Sequence, residues 1–192
     1  MMQMEILAGS ASELGDSVYQ SLIRFRYEVF IRKLRWRLPL DQQTARVETD
    51  QFDTPHARYI VGLEDGQVVS CARLLPTLKP YLLGEVFAWI SDAPLPVDPH
   101  VWEVSRFAAA KQAGPDVGAA LFRHALLEAG ASGADTVVAV TTVQLERYFR
   151  RHGIWHERMG PTHRHENDTL VALRFQAGQQ GALPCPRHKM SA

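Results

Sequence analysis

The chain has 192 residues, 46% hydrophobic and 22% charged, which suits one large soluble domain with a sizeable core. Its 21 basic and 21 acidic residues cancel, which excludes a global field drawing it onto nucleic acid or an anionic membrane. The two cysteines lie far apart, no apolar run is long enough to span a bilayer, and a reducing cytoplasm is the expected location.

Ser17 to Leu34 reads as the first long helix, with Val18, Leu22, Phe25, Val29 and Leu34 at helical spacing and Arg24, Glu28, Arg32 and Lys33 opposite. Arg26 and Phe30, four apart, share its inner face. From Arg37 to Thr54 the pattern is polar and irregular, a long loop whose aromatic residues favour function over disorder. Arg58–Leu63 alternates as a strand, and Asp65-Gly66 predicts a tight hairpin turn into Val68–Leu75. Tyr81 to Trp89 is a short helix or strand, and a proline-rich linker leads to the strand Trp102–Ala108. A helix from about Asp116 to Ala129 follows. Thr136–Thr141 is a continuous apolar run, as for a strand covered on both faces. Val143–His152 is a helix closed by Gly153, and Thr169–Phe175 is the last strand. Strands separated by helices predict an α/β sandwich of mixed sheet, one catalytic domain over 1–176, with 177–192 a loosely held tail.

Charges interrupt this apolar pattern in four places. Arg26 sits on the inner side of a helix, Asp50 and Asp53 bracket Phe52, Arg73 ends a strand, and Glu103 and Arg106 fall within another. Charges are rarely buried unless paired, and pairing them seldom stabilises a core more than apolar residues do. The six are therefore expected to form one connected, partly buried network, kept either for a site or as a structural brace. In a regular strand Glu103 and Ser105 face one way, Val104 and Arg106 the other. A shared pocket demands a bulge near Ser105.

Taken in order, Arg26, Phe30 and Trp36, then Asp50 and Asp53, then Arg73, then Glu103 and Arg106 within Glu-Val-Ser-Arg-Phe, resemble the acyl-homoserine-lactone synthases of the LuxI type. The likeness runs from about Phe25 to Gly160. It implies a three-layer, N-acetyltransferase-like fold with a splayed sheet forming an acyl channel. It also implies two substrates, S-adenosylmethionine and a medium-length acyl chain on acyl carrier protein, with no separate cofactor. By the same resemblance Glu103, Ser105 and Arg106 are assigned to catalysis. Arg26, Phe30, Trp36, Asp50, Asp53, Arg73, Phe107 and Thr142 are assigned to substrate, and Val104, Leu126 and Ala139 to the acyl pocket. Arg123, Arg147, Arg150 and Arg151 would offer a basic surface to an acidic carrier.

The residue chemistry leaves two roles open. Glu103 is either the base for the substrate amine or a structural carboxylate, and the nearby arginines are expected to depress its pKa. Trp36 either faces the sulfonium cation or anchors its loop. His152, His156, His163 and His165 lack the spacing of a metal site. A coenzyme A-dependent N-acetyltransferase is the alternative reading. The stretch Lys111–Gly118 matches the phosphate-cradling turn of such enzymes poorly, and Asp116 there repels phosphate.

Overall fold

Asp65 and Gly66 take left-handed backbone, φ 49° and 73°, the geometry of a two-residue hairpin turn. They join β2 (Arg58–Glu64) to β3 (Gln67–Pro76). Around this hairpin the computed structural model, which describes residues 4–35 and 44–178, arranges one mixed sheet. Its other strands are β1 (Glu5–Gly9), β4 (Val101–Ala109), β5 (Thr136–Thr142), β6 (Glu157–Arg158), β7 (His163–His165) and β8 (Asp168–Gln176). The order is β1-β2-β3-β4-β5-β8-β6, with β7 also on β8. Among the described residues, β4 against β5 is the one parallel pairing.

Alternation along the central strands sorts the core into two layers. Ile60, Ala72, Leu74, Val104, Val137 and Ala139 face one side, under α4 (Val117–Ala131) and α5 (Val143–Arg151). Tyr59, Val61, Cys71, Leu75 and Val138 face the other, against α2 (Asp16–Arg26) and α3 (Leu82–Glu85). A short helix, α1 (Ala11–Leu14), precedes α2 and is closed at its start by a capping box between Ser10 and Glu13. The result is the three-layer α/β sandwich expected. No described helix is long and apolar enough to cross a membrane.

The first helix departs from its expected form. It is α-helical only to Arg26 and continues as a π-helix over Tyr27–Lys33. The Leu34 amide bonds to Val29 O, five residues back, at 3.0 Å. This wider winding keeps Phe30 buried but carries Leu34 out of the inner face, where it is exposed. Tyr81–Trp89 resolves into one helical turn and a 3₁₀ turn at Ala88–Ile90. Ala177 and Gly178, assigned to the loose tail, are held by bonds to Asp135 O and Leu126 O, both 2.9 Å. Residues 179–192 lie outside the described residues.

Candidate active site

The segment following residue 43 delivers three carboxylates to one place. The Glu48 amide donates to Ile23 O, tying the segment to α2. The Asp50 carboxylate accepts from the Phe52 amide at 2.9 Å, and the Asp53 carboxylate accepts from the Asp50 amide at 2.8 Å. These local bonds turn the chain so that Phe52 goes into the core while both aspartates face the sheet.

Three arginines meet the three acids. Arg26 donates from Nε to Glu48 at 2.5 Å and grips both oxygens of Asp53 at 2.8 and 2.9 Å. Arg73 grips Asp50 at 2.6 and 3.1 Å, touches Asp53 at 2.9 Å and donates from Nε to Ser105 Oγ at 3.1 Å. Arg106 donates twice to Glu48, at 3.0 and 2.9 Å, and once to Asp50 at 2.6 Å. The Tyr59 hydroxyl adds a 3.0 Å bond to Asp53. Burial alone would raise the Asp53 carboxyl. The hydrogen bonds and charge of Arg26, with Arg73 behind it, outweigh that and hold it well below the usual carboxylate range.

Arg106 reaches these acids because β4 is bulged. Arg73 pairs with Ser105 and Cys71 with Ala108, so three steps on β4 answer two on β3. Arg106 takes φ 51° at the extra position, and its side chain turns onto the face of Ser105. The Cys71 thiol, pushed up to about 12 by burial, donates to Arg106 O at 3.2 Å and supports the bulge from beneath. Phe30 lies under the guanidinium, 5.6 Å from its carbon to the ring centre, and Phe52 lies similarly under Arg73 at 5.8 Å.

Glu103 stands outside this network, contrary to expectation. It is fully buried, and its two oxygens accept the amides of Leu82 at 2.9 Å and Leu83 at 2.6 Å, at the start of α3. Burial raises its pKa to about 7, against the pull of those two amides and of Arg73 and Arg106. The expectation of a depressed value is corrected: with no arginine bonded to the carboxylate, desolvation wins. The third acid of the network is Glu48, which sequence reasoning missed. Its signal was slight, since Asp50, Asp53 and Glu103 already balanced the three inward arginines, and only its place two residues before Asp50 marks it.

Exposure divides the charged groups further. Arg26, Arg73 and Asp53 retain 1%, 0% and 3% of their side-chain surface, so they hold the site together and have almost no face for a substrate. This burial runs against the direct substrate contact expected of them. Arg106 at 9% and Asp50 at 14% are the members that reach outward. Trp36 lies outside the described residues.

Beside the network the sheet divides. β4 and β5 pair only from Val101 with Thr136 to Glu103 with Val138, after which β4 stays with β3 and β5 with β8. A cavity of about 450 Å³ opens at the divergence, lined among others by Phe107, Ala109, Lys111, Gly114, Gly118 and Tyr148. A Cβ at Gly118 would lie 2.7 Å from the Tyr148 hydroxyl, so a larger residue there would have to push that ring end aside. Val104, Leu126 and Ala139 are buried together in the apolar layer on this side. Thr142 caps α5, its Oγ1 accepting the Leu145 amide at 3.2 Å, a bond that fixes the side chain and does not use its own O–H.

Arg147, Arg150 and Arg151 are exposed along α5 as expected. Arg123 is not part of that open surface. It is half-buried and donates to His152 O at the C-terminus of α5. Among the described residues no group of three or more His, Cys, Asp or Glu is placed to hold a metal ion.

Residues 10–182 match the family model described as autoinducer synthase. An acyl-homoserine-lactone synthase from Pseudomonas aeruginosa is 42% identical over 179 residues, covering 93% of this chain and 89% of that protein. One from Pseudomonas chlororaphis is 38% identical over 170 residues, with 88% and 85% covered. Among solved structures, TofI in a ternary complex with an inhibitor and MTA superposes with TM-score 0.78 at 32% identity, covering 91% of each chain. LasI superposes with TM-score 0.81 at 28% identity, covering 92% of this chain and 91% of that one. The CoA-dependent synthase BjaI, with SAM and isopentyl-CoA, gives 0.79 at 25% identity, covering 91% and 84%.

Proposed function

The chain belongs to the autoinducer synthase family, the acyl-homoserine-lactone synthases, and from that premise we propose that it joins S-adenosylmethionine to an acyl group carried on acyl carrier protein. The amine nitrogen attacks the thioester carbon, the carrier thiolate leaves, and the amine proton passes by way of a water to Glu103, whose buried carboxylate has no open face of its own, and on to the thiolate. The methionyl carboxylate oxygen then bonds its own γ-carbon. That carbon's bond to sulfur breaks, and the sulfonium leaves as neutral methylthioadenosine. A sulfonium is already a good leaving group, so this second step needs chiefly a folded substrate geometry.

One observation carries the reading: the bulge at Arg106 turns a partly exposed guanidinium beside a split sheet, with a carboxyl titrating near neutrality two strand positions from Ser105. A free α-amine titrates near ~8, so a carboxylate with a pKa of about 7 is a competent base for it. Arg106 is the arginine positioned to meet the substrate carboxylate. Trp36 is assigned to the sulfonium side, and Phe30, buried beneath Arg106, to holding that guanidinium in place.

Carrier protein is favoured over coenzyme A by the entrance to α4. A helix start cradles phosphate through its first amides, but here the exposed Asp116 carboxylate stands at the N-cap and repels it. The exposed arginines of α5 suit an acidic carrier instead. Steady-state kinetics with the same acyl group on both donors are expected to favour carrier protein by at least about tenfold, the scale of one lost charge-assisted contact. Better turnover of the coenzyme A thioester would reverse this assignment.

An unsubstituted acyl chain is expected. Ala139 offers only a methyl in the apolar layer. An unpaired buried carbonyl costs about 1–3 kcal/mol, so 3-oxo donors should be disfavoured about tenfold or more. Competition between the two donors measures this, with Ala139→Thr expected to narrow the gap. Equal use by the unaltered chain would refute it.

A further inference from the structure

We propose that this chain is built for short acyl groups, about four to six carbons, because a buried aromatic wall headed by Phe122 closes the split one helical turn behind its entrance. The inference rests on the reading that the thioester enters through the split in the sheet.

Gly118, Phe122 and Leu126 stand at i, i+4 and i+8 of α4, in one row along the helix. Gly118 lines the cavity and contributes no side chain to it. Phe122, next in the row, is 1% exposed, and Leu126, expected as pocket lining, lies behind it. Four residues of helix rise about 6 Å, and that is the depth between the open position and the closed one. Carbon–carbon bonds of about 1.5 Å laid in a zigzag advance roughly 1.3 Å each, so about four to five carbons span this depth and a much longer chain meets the ring.

The ring does not stand alone. Phe107, on the cavity wall, packs edge-on against Phe122 with centres 5.1 Å apart. Behind it Phe122 meets Phe149 at 4.3 Å and Phe175 at 4.9 Å, and those two meet at 5.5 Å. These are the separations of rings in contact, with no slot between them for a methylene chain. The four rings come from β4, α4, α5 and β8. Displacing one shifts helices against the sheet, which a close-packed interior resists.

The test is a length series of butanoyl, hexanoyl, octanoyl and decanoyl thioesters, each on carrier protein and on coenzyme A, with lactone formation measured for every donor. The expected result is highest kcat/KM for butanoyl or hexanoyl and a fall of tenfold or more by decanoyl. Phe122→Ala should shift the optimum to longer chains and change the butanoyl-to-decanoyl ratio at least tenfold, leaving the KM for S-adenosylmethionine unchanged. Phe122→Leu gives the same shift, smaller, should the alanine variant fold poorly. A flat series in the unaltered chain, or variants that slow every length by one factor, overturns the proposal. A short-chain optimum seen only on coenzyme A upholds it while overturning the carrier assignment. Failure of every donor overturns both.

Discussion

Replacing Glu103 by Gln is expected to lower lactone formation by about 10²–10⁴-fold, the usual contribution of a positioned acid–base group. The unaltered enzyme should show an acid limb in kcat/KM near pH 7, from the Glu103 carboxyl, and the variant should lose it. The limb from the substrate amine, near ~8, should survive in both. Stability carries the opposite sign. Because the folded pKa lies above the ordinary carboxylate value of ~4.3, the native state holds this proton when the unfolded chain has released it. Glu103 therefore favours folding fully below about pH 4 and progressively less up to about pH 7. Thermal unfolding across that window should show the decline in the unaltered chain and not in the variant. A Glu103→Gln enzyme keeping the limb at pH 7 would remove the carboxylate from the chemistry.

The second large effect is expected at Arg26. Substitution by Ala leaves Glu48 and Asp53 facing each other in a buried space without the cation between them, a loss of about 3–5 kcal/mol. Denaturant midpoints at constant slope measure it. Asp53→Ala should cost a similar amount, and the double variant clearly less than the sum, since each single change already breaks the shared interaction. The depressed pKa of Asp53 adds an acid limit: its stabilisation is full above the ordinary carboxylate range and disappears as pH falls through it. A loss under about 1 kcal/mol would mean that the cluster is a solvated surface network instead.

Much of this arrangement was legible in the sequence, for identifiable reasons. Asp65-Gly66 fixed a hairpin because only one turn geometry suits that pair between alternating strands. A bulge near Ser105 was expected so that Glu103 and Arg106 could share a pocket; the bulge is there, but it brings Arg106 to Glu48 and Asp50 and leaves Glu103 apart. The failures have physical causes too. Periodicity assumes 3.6 residues per turn, so it misplaced Leu34, which the π-wound segment rotates outward. Strands of two or three residues, such as Glu157–Arg158 and His163–His165, show no period to detect. The pKa of Glu103 depended on whether its oxygens faced guanidinium groups or backbone amides. That choice is made by the path of Tyr81–Leu83, twenty residues away, and no local pattern encodes it. Arg123 was read with its exposed neighbours because sequence separates a capping arginine from a surface one only through the partner it meets.

The left-handed backbone at Arg106 sets strain against pairing at one codon. An L-residue held there gives up about 1–2 kcal/mol that glycine would not. Glycine in its place would strip three hydrogen bonds from Glu48 and Asp50 and leave a buried Glu48 oxygen without the cation that meets it, the larger of the two costs. A search that scores only folding would therefore keep arginine here, as would one that scores only turnover. Libraries aimed at hardening this enzyme can leave position 106 out of the search, since relieving its strain unpairs a buried acid.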